Sequence, residues 1–213
     1  MILLLCALSS YVLGPSPSAV DRFSRRAQVA AHREIGLGTP LGESRQSATN
    51  ASARVPLSQT ADFFVGELEK QLVDAADAMP QWKYPFVPTV GEFKGVRTFG
   101  QQVKHLAATN YILAAAALGE PVPADAGDEA GPESLHMKSE ILEYLKGSFR
   151  ALHRAAAAID DENRVISDTP ISPLIGQGTR SGYVQEALIH MYDHYGQMVI
   201  YLRMNGIIPP ASR

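Results

Sequence analysis

Residues 186–210 read EALIHMYDHYGQMVIYLRMNGIIPP, and the reading of this stretch decides the fold. Val184, Leu188, Met191, Tyr195, Met198 and Leu202 recur at three- and four-residue intervals, which predicts a helix from about Thr179 to Asn205 that ends at Gly206. A second line runs beside this apolar stripe through Tyr183, Ala187, His190, His194, Gln197 and Tyr201. It is polar and aromatic rather than charged, so it does not read as an ordinary solvated face. His190 and His194 stand at i and i+4, the spacing that lets two imidazoles reach the same metal ion. The same spacing also fits two hydrogen-bonded core histidines, so the question is whether a third partner meets them.

Upstream, three more segments carry helical periodicity. The first runs from about Ser58 to Met79, with Phe64, Val65, Leu68, Leu72, Ala76 and Met79 on its apolar stripe and Pro80 as its stop. Thr98 is a good N-cap for a second that runs to Gly119. A third, from about Leu135 to Ile159, aligns Ile141, Leu145, Phe149, Leu152, Ala156 and Ile159. No segment alternates with period two. Four amphipathic helices of this length bury their apolar faces as an all-α four-helix bundle, expected here over residues 57–213. The links 80–97 and 161–178 are longer than tight turns require and are expected to lie over one end of the bundle, with Trp82, Tyr84, Phe86 and Phe93 either capping the core or facing a site.

Composition narrows the function classes. With 213 residues, 46% of them hydrophobic, the chain can build one sizeable core. A net charge of −3 without a Lys/Arg run argues against nucleic acid as a partner. The opening MILLLCALSSYVL is too short to span a bilayer and has the length of a secretory leader, expected over residues 1–19 and followed by a polar tether over 20–56. Secretion or export to a periplasm is the expectation, with a cytoplasmic protein as the alternative if the segment is not a signal. Removal of the leader takes away Cys6, the only cysteine, and with it any thiol nucleophile of the protein's own. His32 and the sequon at Asn50 fall in the tether and carry no weight.

His105, in QVKHLAATNYIL on the second helix, sits among residues that read as bundle interior and can meet the pair on the fourth. Three neutral imidazoles leave a dication its full charge and an open coordination position, the ligand logic of a catalytic site. HMYDH lacks the glutamate that a zinc protease places after its first histidine, so peptide hydrolysis by that route is not expected. Asp193 is read as an outer partner or a solvated residue, and His136 and His153 as surface or packing residues.

The combination of the YPFVP link, the Thr-Phe-Gly helix start leading to HLA, and a last helix with H-x-x-x-HYGQ running into YLRMNGIIPP resembles the DinB/YfiT-like superfamily over about residues 57–212. The resemblance implies one divalent ion, zinc or nickel, held by His105, His190 and His194. It also implies a thiol-dependent transferase, with a low-molecular-weight thiol as cosubstrate and a small-molecule substrate. A hydrolase competes with that reading, because reduced thiols are scarce in oxidising compartments. The alternative is a non-enzymatic metal-binding or stress-associated module, and the Ala-rich ILAAAALG and HRAAAAID stretches would allow a homodimer.

Overall fold

The computed structural model describes residues 54–213 apart from 125, 127–128, 161 and 168–177. The expected leader, and the tether up to residue 53 with His32 and Asn50, lie outside the described residues. Four long helices carry the fold: α1 Leu57–Ala78, α2 Phe99–Leu118, α3 Lys138–Ala157 and α4 Arg180–Met204. A two-stranded antiparallel ladder, β1 Val165–Ser167 with β2 Gly178–Thr179, lies in the link before α4.

The helix ends follow local chemistry. Met79 is extended because Pro80 follows it, and α1 stops there. Thr98 and Gln101 form a reciprocal capping box at the start of α2, and Gly119 ends that helix at φ +69°. Thr179 Oγ1 accepts from the Gly182 amide at 3.0 Å to open α4. The α3 boundary differs from expectation: the helix begins at Lys138 rather than near Leu135. Glu140 reaches back to accept from the His136 and Met137 amides, which makes those residues the entry to the helix rather than its first turn.

Each of α1 and α2 packs against both α3 and α4, so α1 and α2 face each other across the bundle diagonal. Tyr84, just past α1, donates its hydroxyl to Ala76 O and accepts the Gly100 amide on its own carbonyl, which ties the end of α1 to the start of α2. Lys138, at the start of α3, pairs with Asp77 at the end of α1, and Lys83 donates to Asn205 O at the end of α4. The order is therefore α1 and α4 in one direction, α2 and α3 in the other. This explains the link lengths. The 80–97 link crosses a bundle end on a diagonal, and α3 ends and α4 begins at the opposite end, where Arg180 meets Asp160 and Ser181 meets Asn163. The two links do not share one end as expected. Because α2 and α3 are parallel, residues 119–137 join opposite ends of the bundle, and Glu129 in that third long link reaches the site described below.

Leu68, Leu72, Met79, Leu145, Phe149, Leu152, Met191, Met198 and Leu202 are fully buried, as their helical spacing predicts, and Leu106 on α2 joins them. Phe64 is a correction: it is 43% exposed and stacks edge-on against Phe63. It lies about a quarter turn from Val65, which takes the inward position. Among the link aromatics, Tyr84 is buried against Phe99 and Phe86 packs on Tyr201, whereas Trp82 and Phe93 are exposed. No helix among the described residues is long and apolar enough to cross a membrane.

His153 joins two helices in a way its sequence position did not reveal. Its Nδ1 lies 2.6 Å from Asp62 Oδ1 and its Nε2 3.1 Å from Glu69 Oε2, both on α1. Partial burial alone would lower its pKa, but the two carboxylates outweigh burial and the net shift is upward. The stability it contributes is therefore fully present below the ordinary histidine value of about 6.5 and fades as pH rises through the raised folded value. The groups are partly solvated, so the effect should stay within about 1 kcal/mol. Comparing urea midpoints of the wild type and His153→Gln at pH 5.5 and 8.5 checks it: the gap should be wider at the lower pH, and an equal or reversed gap would count against the bridge.

Candidate metal centre

His105 faces inward from the second turn of α2, opposite the middle of α4, where antiparallel packing brings His190 and His194 level with it. The three imidazoles meet. His190 Nε2 lies 3.1 Å from His105 Nε2 and 3.0 Å from His194 Nε2, and one ligand nitrogen from each lies within 4.8 Å of the others. His105 and His194 are buried, and His190 is partly so. A tetrahedral ion with bonds of about 2.0–2.1 Å separates its nitrogens by about 3.3 Å, so the spacing suits a small dication.

The protonation pattern sharpens the fit. Nδ1 of His105 lies 2.7 Å from the Glu129 carbonyl, which can only accept, so Nδ1 carries the proton and Nε2 presents a lone pair to the other two rings. One Nε2 proton on His190 would have to be shared between two lone pairs, and the buried Nδ1 atoms of His190 and His194 have no partner among the described residues. A cation serves all three lone pairs at once. Burial, followed by the positive charge of neighbouring groups, pushes His190 down to about 3 and His194 down to about 4, and burial lowers His105 too. The rings are accordingly neutral at neutral pH and ready to act as ligands.

The residues that hold this arrangement were not all visible beforehand. Glu129 sits at φ +77°, an uncommon conformation for a side-chain-bearing residue, and its carbonyl turns toward His105. Gly131, at φ +74°, lets the same link lie against α2: a Cβ there would come within 3.0 Å of the Lys104 carbonyl. The Pro- and Gly-rich PVPADAGDEAGP of that link was a signal for a functional connection that went unread. On the other side, buried Gln102 donates to the His194 carbonyl at 3.3 Å and to Gln197 Oε1 at 3.2 Å. Gln197 in turn donates to Asp193, which is solvated and stands apart from the three nitrogens. Among the described residues, His136 and His153 stay outside the cluster.

One cavity, of about 150 Å³, reaches the site at His194 and is lined also by Gln197 and Tyr201; another, of about 410 Å³, lies beside Ala130 and Gly131 and is lined by none of the three clustered histidines; Gly95, Val96 and Arg97 wall both. A separate cavity of about 680 Å³ lies between Tyr84, Gln101 and the approach to α3, and none of the three clustered histidines lines it.

The DinB superfamily profile matches residues 66–198, a span that holds all three histidines, and the chain belongs to the DinB superfamily. A crystal structure of a protein assigned to the DinB family from Exiguobacterium sibiricum 255-15 superposes with a TM-score of 0.51 at 20% identity, over 72% of this chain and 95% of that one. The likeness supports the shared fold. No curated protein matches the chain.

Proposed function

We propose that this DinB-superfamily chain holds one divalent ion, zinc or nickel, on His105, His190 and His194 and uses it in a thiol-dependent transfer reaction, with hydrolysis as the competing chemistry. The observation that carries the reading is the convergence of three neutral imidazole nitrogens on one point between α2 and α4. An ion bound there supplies Lewis acidity and lowers the pKa of a thiol or water toward neutrality. The chain does the rest. The Glu129 carbonyl fixes the His105 tautomer, and Gln102 braces the α4 backbone at His194. Residues 57–213 hold no cysteine, so the thiol must be supplied. Export, which we infer from the apolar leader, would make that supply limiting and favours hydrolysis in an oxidising compartment.

A second reading has its own support. Ile189, Tyr192, Ile200 and Met204 form an exposed apolar line on α4, on the side away from the core, which suits a metal-binding module that meets a partner or a second copy. Elemental analysis of the purified protein should find one zinc or nickel per chain, and turnover of electrophilic substrates should require both that metal and an added low-molecular-weight thiol. Bound metal without turnover across thiol and ester panels would overturn the enzymatic reading and leave the module.

A further inference from the structure

Arg97 is the last residue of the 80–97 link and walls both the small cavity that reaches His194 and the larger one lined by Lys104. Its backbone is pinned: the Tyr201 hydroxyl donates to its carbonyl at 3.1 Å, and Tyr201 itself packs against Phe86 and Phe99. Its side chain is not consumed by the fold. Neither Arg97 nor Lys104, which lines the larger cavity, takes part in a salt bridge among the described residues. Lys104 gives one hydrogen bond to Pro132 O at 2.9 Å, which aims its ammonium and leaves further donors.

We propose that the cavity beside Arg97 and Lys104 recognises a small carboxylate-bearing molecule, its carboxylate held by those two side chains while the remainder extends past Arg97 into the smaller cavity toward His194. The proposal rests on the three histidines being the reactive centre. A guanidinium fork matches the two oxygens of a carboxylate, and an ammonium nearby adds a point charge. Phosphate offers similar oxygens, but Glu133 lines the same cavity, and its charge penalises a dianion more than a monoanion. The volume of about 410 Å³ lies within the usual range of small-molecule sites.

Succinate and inorganic phosphate, titrated into the isotope-labelled full chain at matched ionic strength, test this by NMR and calorimetry. Succinate should bind saturably, shift the Gly95 and Gly131 amides, and outcompete phosphate. Arg97→Ala should weaken it by about tenfold or more, and Arg97→Lys, which keeps charge but loses the fork, by less. Lys70→Ala, an exposed change on α1, should leave it unchanged. Absent saturation, tighter phosphate binding, or full affinity in Arg97→Ala would overturn the proposal, as would an equal loss in Lys70→Ala. Metal content measured on the same samples keeps the two readings apart: metal absent from wild-type protein that still binds succinate through Arg97 would sink the metal centre alone.

Discussion

Replacing His194 with alanine is expected to abolish stoichiometric metal binding while the four helices stay folded. The site offers three protein nitrogens, and loss of even an outer partner of a metal ligand costs about 10–100-fold in affinity, so removal of a ligand itself should cost more than about a hundredfold. His105→Ala and His190→Ala should behave alike, because each ring contributes one converging nitrogen. The fold should survive because the fully buried large side chains come from the apolar stripes of all four helices and none of the three histidines belongs to that set. Metal content by elemental analysis, with helicity and urea midpoints on the same samples, decides it. Stoichiometric metal retained in all three single variants would refute the ligand assignment. Metal and turnover lost together would tie the reaction to the site, whereas metal lost from a protein that never turned over substrate would leave only binding.

How much of this was legible in the sequence depends on the range of the interaction concerned. Thr98, Gly119, Thr179 and Gly206 act within one helical turn, and their roles could be read directly from residue type. The apolar stripes of α3 and α4 were legible for the same reason, since period alone determines which side chains share a face. The histidine triad was half legible: i, i+4 spacing pairs His190 with His194, but only packing of α2 against α4, or the family resemblance, brings His105 to them. What escaped was set by topology. The parallel run of α2 and α3 makes the 119–137 link join opposite ends of the bundle, and no local signal announces that Glu129 will offer its carbonyl to His105. His153 escaped in the same way, because its two carboxylate partners lie on α1, some ninety residues earlier.

The largest stability effect should come from Phe149. Its side chain is fully buried in the core on α3, the helix that packs against both α1 and α2, so Phe149→Ala removes a large apolar volume that surrounding helices can only partly refill. A loss of about 3–5 kcal/mol is expected, a large share of the 5–15 kcal/mol typical of a domain. Phe64 provides the contrast. At 43% exposure it already sits largely in water beside Phe63, and Phe64→Ala should change stability by no more than about 0.5 kcal/mol. Urea unfolding of the two variants measures the difference, read from the midpoint at constant slope. Metal affinity should fall with Phe149→Ala only as far as the folded fraction falls, because the site is built on α2 and α4 and its nitrogens do not touch α3 for support. Comparable losses at Phe64 and Phe149 would contradict the burial pattern for an isolated chain and would mean that the Phe63–Phe64 face of α1 is covered in solution; protein-concentration dependence of the Phe64→Ala midpoint would then identify a second copy as the cover.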